Sequence, residues 1–145
     1  MREILFRGKR IDNGEWVEGG SIFKLINKSG EHFFIPRFNE KVIATHDDNM
    51  NIIALEGCIL YKVDPETVGQ YTGLIDKNGL KIFEGDVLTV DGEDGFFVLE
   101  FQEDTARFVM SGDSIVVDFD NFWSYEVEVI GNIHDNPELL KEGGE

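Results

Sequence analysis

The chain has 145 residues, of which 41% are hydrophobic, and a formal net charge of −16 at pH 7. This length and apolar content allow one domain or two small modules with a packed core, and the single cysteine excludes an internal disulfide and indicates a reducing compartment. The apolar runs are too short to span a membrane and the charged N-terminal segment is unlike a signal peptide, so we expect a cytoplasmic protein without membrane contact.

The charge is distributed unevenly along the chain. Of the 29 acidic and 13 basic residues, nine of each lie in residues 1–62, so residues 63–145 hold 20 acids, 4 bases and the whole net charge. This asymmetry indicates a boundary, which we place between a net neutral module of residues 1–62 and an acidic module of residues 63–145. Because a field this negative repels phosphate groups, we expect no direct contact with nucleic acid.

Short apolar segments separated by turn residues predict strands throughout the first module. The letters DNG at 12–14 and NKSG at 27–30 indicate tight turns between them. The predicted strands are residues 2–10, 15–18, 21–26, 32–35 and 52–63. Pro36 ends the fourth of these strands, and the polar, poorly periodic residues 37–51 predict a long loop.

The second module is predicted to begin with a helical turn, because Asp64 is a good N-cap and Pro65 suits the first helical position. The letters KNG at 77–79 predict a tight hairpin, and Asn136 with Pro137 repeats the helix-start pattern. The predicted strands are residues 87–90, 96–101, 106–110, 115–119 and 125–129. We therefore expect a mainly β fold with only short helical turns, in which an N-terminal antiparallel β module precedes a small β-roll or barrel.

Three segments carry a resemblance to a known family: REILFRGKRIDNGEWVEG at 2–19, VDPETVGQYTGLIDKNGLKIFEGD at 63–86 and EVIGNIHDNPELL at 128–140. Together they resemble the YopX-like family of phage and prophage proteins. The resemblance implies a phage or prophage origin, and so a bacterial host cell, a mostly β fold with an SH3-like barrel in the second half, and self-assembly. It implies no biochemical activity.

Two segments contain residue types that bind metal ions. His46 precedes two aspartates in the predicted loop, but no other His or Cys lies at ligand spacing. Asp91, Glu93 and Asp94 alternate as in a calcium loop, but the glycine and the final glutamate of that motif are missing. We interpret the two segments as a hydrated loop and an acidic hairpin turn, and we expect no metal and no cofactor.

A catalytic group is not evident in the sequence. His134 and Asp135 could provide a base and an orienting carboxylate, but adjacent residues at a strand end point apart and no nucleophile accompanies them. Cys58 lacks a basic neighbour that would activate its thiol, and we expect it to be a buried small hydrophobe. The protein is therefore not expected to be an enzyme.

The residues best suited to contact other molecules are charged or aromatic. We expect the basic cluster near the N-terminus to pair with the acidic module, within one chain or between chains. The tryptophans are candidate contact anchors, although packing on a sheet face is the simpler interpretation. The candidate interaction residues are Arg2, Arg7, Lys9, Arg10, Trp16, Asp91, Glu93, Asp94 and Trp123.

Three functions are compatible with these features. The first is a phage or prophage accessory protein that is not an enzyme and binds a host or phage protein with a basic surface through its acidic module. The second is a structural or scaffolding homo-oligomer, and the third is an acidic mimic of nucleic acid that blocks a basic host enzyme. We also expect a closed homo-oligomer, a ring, in which the neutral module supplies most contacts because acidic modules repel each other.

Overall fold

A computed structural model describes the fold for residues 3–50, 52–113, 115–120 and 126–143. The described residues form antiparallel strands and one short helix, so the predicted mainly β fold is confirmed. The strands are β1 (Phe6–Arg10), β2 (Trp16–Gly19), β3 (Phe23–Asn27), β4 (Gly30–His46), β5 (Ile52–Ile75), β6 (Lys81–Phe83), β7 (Asp86–Val90), β8 (Phe97–Gln102), β9 (Arg107–Ser111), β10 (Val116–Asp118) and β11 (Val127–Asn132). The helix is α1 (Glu138–Gly143), and it confirms the helix start predicted at Asn136 and Pro137.

The chain divides into two compact units that differ in charge. The first unit comprises Leu5–Val68, and the second unit comprises Gly69–Glu145 together with Met1–Ile4. The division therefore falls after Val68, whereas the charge pattern places a boundary after Lys62. Residues 5–68 carry 10 acids and 8 bases, a net charge of −2, and residues 69–145 carry 18 acids and 4 bases, a net charge of −14.

The first unit is an antiparallel sheet with the strand order β2-β1-β5-β4-β3. Its core contains the buried side chains of Val17, Ile35 and Val63. Two glycines allow the backbone to lie close to side chains of this core. A Cβ atom on Gly8 would lie 3.0 Å from Val63 Cβ, and one on Gly19 would lie 2.7 Å from Ile35 Cγ2. Larger residues at these two positions would push the strands apart.

The structure contradicts the long loop predicted for residues 37–51, of which Asn51 lies outside the described residues. β4 continues through Pro36 as far as His46, and it pairs with β5 over residues 33–38 and again over residues 43–46, with register shifts after Phe38 and after Thr45. Of the predicted loop, residues 47–50 form a turn in which Met50 N donates to Asp47 O at 3.1 Å. The pairing partner of this polar segment lies farther along the chain, so its lack of local periodicity was misleading.

Pro36 does not end β4 because its missing N–H group is not needed there. In the β3–β4 hairpin Asn27 pairs with Gly30, so even-numbered residues from Gly30 onward turn their backbone nitrogens towards β3. β3 extends only as far as the residue opposite Phe34. Pro36, which pairs with Leu60 of β5 on its other side, therefore leaves no ladder hydrogen bond unmade.

The structure also contradicts the helical turn predicted at Asp64, since residues 64–66 lie inside β5. Asp64 still bonds to the residues that follow it: its Oδ1 accepts from Glu66 N at 3.0 Å, and its carbonyl oxygen accepts from Thr67 Oγ1 at 2.6 Å. Thr67 Oγ1 in turn accepts from Lys9 N at 2.8 Å, which ties this part of β5 to β1. Strand pairing thus overrides the local helix-start signal.

The second unit contains an antiparallel sheet with the order β10-β9-β8-β7-β11, and the end of β5, which pairs with β6. Its buried core consists of Ile82, Leu88, Val90, Phe97, Leu99, Met110, Phe119 and Val127. The hairpin predicted at 77–79 is confirmed, because Ile75 pairs with Lys81 across it. Within the described residues no backbone pairing joins β10 to β11, so the sheet does not close into a complete barrel there. None of the helices in the described ranges is long and apolar enough to cross a membrane.

Candidate functional site

Asp76, a conspicuous acid of the middle segment at 63–86, has a structural role. It is 4% exposed, and its carboxylate accepts hydrogen bonds from three backbone N–H groups. Oδ1 accepts from Asn78 N at 2.8 Å and from Leu80 N at 2.9 Å, which closes the hairpin turn. Oδ2 accepts from Val129 N at 2.9 Å, which ties the turn to β11. The carboxylate thus stabilises backbone that would otherwise contain partly buried donors without acceptors.

Asp86 has a similar role where β7 begins. It is 1% exposed, and its Oδ2 accepts from Phe83 N at 2.7 Å. In the same segment Gly69 permits a close backbone approach, since a Cβ atom there would lie 2.6 Å from the carbonyl oxygen of Glu84. The residues that make this segment recognisable therefore shape the fold of the second unit.

His134 and Asp135 belong to a turn that Asn132 organises. Asn132 Oδ1 accepts from the backbone nitrogens of His134 at 3.0 Å and Asp135 at 2.9 Å, and Asn132 Nδ2 donates to Asp135 Oδ2 at 3.3 Å. Asn136 Oδ1 accepts from Asn132 N at 3.2 Å, and a Cβ atom on Gly131 would overlap that oxygen. These contacts support the interpretation that the segment ends β11 and leads into α1.

The basic cluster near the N-terminus is divided between the two faces of β1. Lys9 lies opposite Trp16 in the β1–β2 ladder, and Arg7 is on the same face because side chains alternate along a strand. The Arg7 guanidinium carbon lies 4.8 Å from the centroid of the Trp16 ring, within cation–π range. Arg10 points to the other face. The structure therefore brings Arg7, Lys9 and Trp16 together and separates Arg10 from them.

Arg10 makes its contacts within the first unit. Its Nε donates to Asp12 Oδ1 at 2.9 Å, and its guanidinium carbon lies 4.6 Å from the centroid of the Tyr61 ring. The hydrogen bond between these side chains raises the pKa of Arg10 and lowers the pKa of the Asp12 carboxyl. Arg37 lies 5.9 Å from the same Tyr61 ring. The two arginines thus cover an aromatic side chain, and the pairing expected between the basic cluster and acidic residues of the second half stays a prediction.

The predicted acidic turn follows β7, and Asp91, Glu93 and Asp94 are all exposed there. Lys77 Nζ lies 2.8 Å from Asp91 Oδ1 and 4.0 Å from Glu128 Oε2. The hydrogen bond to Asp91 raises the pKa of Lys77. Within the described ranges, no three His, Cys, Asp or Glu side chains come close enough together to hold a metal ion. The turn is a charged surface feature with one ion-paired aspartate.

The other residues considered in the sequence analysis are Cys58, His46, Arg2 and Trp123. Cys58 is half-buried, so the expectation that it is a buried residue is wrong. His46 is exposed at the end of β4. Arg2 and Trp123 lie outside the described residues.

An apolar surface that the sequence reasoning missed lies on β3, at the edge of the first unit's sheet. All five residues of β3 are exposed, including Phe23 at 38%, Leu25 at 52% and Ile26 at 68%. An edge strand presents backbone N–H and C=O groups to other strands, and exposed apolar side chains favour such pairing. The sequence did contain one signal of this surface. In the letters FKLI apolar and polar residues do not alternate, as they would in a strand with one buried face.

A groove in the second unit is another feature that sequence reasoning missed, and its volume is about 260 Å³. Its lining includes Phe96, Val98, Glu100, Ser111, Asp113 and Leu140. Phe96, Val98 and Glu100 lie just before and within β8, Ser111 and Asp113 lie at and just after the end of β9, and Leu140 belongs to α1. Since they are distant in sequence, no local motif indicates the groove.

The geometry defines a β-sheet protein of two units. Its most conspicuous polar residues stabilise turns or form ion pairs and cation–π contacts. The chain belongs to the YopX family, because the family model described as YopX protein matches residues 5–141, and the resemblance found in the sequence is thereby confirmed. Its fold is similar to the crystal structure of protein EF1440 from Enterococcus faecalis, with a TM-score of 0.53 and 24% identity over 94% of this chain and 97% of that chain. Among proteins with curated descriptions, none matches the chain.

Proposed function

We propose that this chain is an accessory protein of a phage or prophage that is not an enzyme and acts in the bacterial cytoplasm by binding another protein. Its acidic second unit is the binding surface, and the partner is a host or phage protein with a basic surface. The observation that carries the proposal is the charge of residues 69–145, which hold 18 acids and only 4 bases. Membership of the YopX family supports the phage context.

The position of the acids supports a binding role for this charge. Asp76 and Asp86 are buried and bonded to backbone donors, but most of the other acids described in this unit are exposed. The exposed acids are Asp91, Glu93, Asp94, Glu100, Glu103, Asp104, Asp113, Asp118, Asp120, Asp135 and Glu138. Lys77 and Arg107 are each ion-paired with one of these carboxylates and so add little positive field of their own. Such a surface attracts basic partners and raises the rate of encounter.

Capture from host lysate, followed by elution in steps of increasing salt, tests the proposal. The full chain is immobilised, the lysate is treated with nuclease, and the eluted proteins are identified. We expect a basic protein that is retained by the unaltered chain and released at lower salt by a variant with amides in place of Glu93, Asp94, Glu103 and Asp104. Equal retention by both chains would show that the acidic surface does not bind the partner.

The same charge supports a second function, in which the unit mimics nucleic acid and occupies the basic groove of a host enzyme. The capture experiment separates the two functions when the nuclease is washed away and double-stranded DNA is then added as a competitor. A nucleic-acid enzyme that is displaced by both DNA and moderate salt supports mimicry. A partner that DNA does not displace supports a separate protein interface.

We also propose that the chain assembles into a closed homo-oligomer, a ring, through its first unit. Residues 5–68 have a net charge of only −2, so contacts between first units meet little repulsion, and the exposed edge of β3 offers a surface for pairing. Arg7, Lys9 and Arg10 are half-buried, and their positive charge favours a head-to-tail contact with the acidic unit of a neighbour. Contacts of this kind close into a ring or grow into a fibre. A chain that assembles but captures no partner acts as a structural or scaffolding oligomer.

Light scattering at micromolar concentration in moderate salt tests the assembly. We expect a multiple of the 16.5 kDa chain mass for the unaltered protein and a monomer when Leu25 and Ile26 are both replaced by lysine. A monomeric mass for the unaltered chain would refute assembly. An oligomer that survives charge reversal at Arg7, Lys9 and Arg10 would refute the role given to that cluster.

A further inference from the structure

The groove of the second unit lies on the outward face of its sheet. In the β8–β9 ladder Val98 is opposite Ser111, and the neighbouring pair of Leu99 and Met110 is 0% and 1% exposed. Since successive side chains point to opposite faces of a strand, Val98 and Ser111 point away from the core that Leu99 and Met110 fill. Leu140 of α1 adds a further wall, and the space between these elements measures about 260 Å³.

The groove combines apolar surface with two carboxylates. Phe96, Val98 and Leu140 supply the apolar part of the lining, and the exposed side chains of Glu100 and Asp113 supply the charge. Among the side chains that the structure describes, no lysine or arginine forms an ion pair with either carboxylate. The bases that the structure describes therefore leave the negative charge of these two carboxylates unneutralised.

We propose that this groove binds a lysine or arginine side chain that the partner inserts into the acidic unit. These side chains consist of an aliphatic stem and a cationic end. The stem packs on Phe96, Val98 and Leu140, and the cation pairs with Glu100 and Asp113. The inference rests on the proposed function, because it takes the partner to be a protein with a basic surface.

Charge decides the class of ligand that the groove accepts. A phosphate or carboxylate group is repelled by a unit whose residues 69–145 carry a net charge of −14. An uncharged apolar side chain would fill the space but would remove water from two carboxylates without offering them a partner. A long cationic side chain satisfies both parts of the lining, so it fits the groove better than either alternative.

Binding of a short peptide to the full chain tests the proposal. The probe is a fluorescein-labelled nonapeptide in which arginine alternates with serine, and its control has citrulline, which keeps the shape without the charge, in place of arginine. Fluorescence anisotropy measures the Kd, and amide chemical shifts locate the site. We expect shifts at Val98, Ser111 and Gly112 with the arginine peptide, and weak binding of the citrulline peptide.

Matched variants distinguish binding by the groove carboxylates from attraction by the overall negative charge of the unit. The pair Glu100→Gln and Asp113→Asn should weaken binding of the arginine peptide about fivefold or more, since each exposed ion pair contributes modestly. The pair Glu93→Gln and Asp94→Asn makes the same change of charge in an exposed turn and should weaken binding less than about twofold. Leu140→Ala should also weaken binding, because the stem loses part of its contact.

If the two pairs of substitutions weaken binding of the arginine peptide equally, the groove is not its binding site. The acidic surface as a whole then remains the proposed binding site. Equal binding of the arginine and citrulline peptides would also overturn it. If the peptide fails to bind while the lysate partner is still retained by the acidic surface, the groove is again excluded and the proposed function stands.

Discussion

Replacing Asp76 with asparagine tests whether a buried carboxylate holds the second unit together. Asp76 is 4% exposed and accepts from the backbone N–H groups of Asn78, Leu80 and Val129. Asparagine has nearly the same shape but only one oxygen, and its amide nitrogen is a donor. In the variant, at least one backbone N–H group must therefore face another donor in a buried place.

The expected loss of stability follows from these three hydrogen bonds. A hydrogen bond to a charged group contributes about 1.5–3 kcal/mol, and one between neutral groups contributes about 0.5–1.5 kcal/mol. Asp76→Asn loses one charged bond and weakens the other two. Since each weakened bond loses about 1–1.5 kcal/mol, we expect the free energy of unfolding to fall by about 3–6 kcal/mol, a large fraction of the 5–15 kcal/mol or so that is typical of a folded protein.

Urea unfolding followed by circular dichroism measures this loss, and amide hydrogen exchange locates it. Exchange should accelerate at Val129 and Leu80, whose N–H groups depend on the carboxylate. The matched control is Asp94→Asn, the same chemical change in an exposed turn, which should alter stability by no more than about 0.5 kcal/mol. A loss below about 1 kcal/mol for Asp76→Asn, with unchanged exchange at Val129, would refute the structural role assigned to Asp76.

Other contacts lead to three further predictions. Gly69→Ala should lower the free energy of unfolding by about 1–3 kcal/mol in urea, because its Cβ atom would lie 2.6 Å from the Glu84 carbonyl oxygen; an unchanged midpoint would contradict this packing. In an NMR titration, the pKa of Asp12 should be lower than in an Arg10→Leu variant, and equal values would contradict the hydrogen bond. Because the native pKa is the lower one, the stabilisation is present above the unfolded-state pKa and is lost as the pH falls through the native value. Added salt should slow amide exchange more in residues 69–143 than in residues 5–68, because screening relieves repulsion within a strongly acidic unit; an equal response would count against the charge argument.

The sequence by itself determined the features that depend on a few consecutive residues. The Asn-Gly pairs at 13–14 and 78–79 predict tight turns, and the structure has Gly14 and Gly79 at φ values of 73° and 86°. Asn136 and Pro137 likewise mark the start of α1. The mainly β character and the family could also be inferred, because turn spacing and motif letters are properties of the chain itself.

Only the tertiary structure decided the course of the chain where local and distant interactions compete. At Pro36 and at Asp64 the local signals favour a strand end and a helical turn, but pairing with other strands keeps both residues inside strands. The role of Asp76 depends on Val129, which is 53 residues away. The groove joins Val98 to Leu140 in the same way. Hydrophobic periodicity and turn residues do not specify which strands pair or in what register, and the neighbours of a side chain exist only after that pairing has formed.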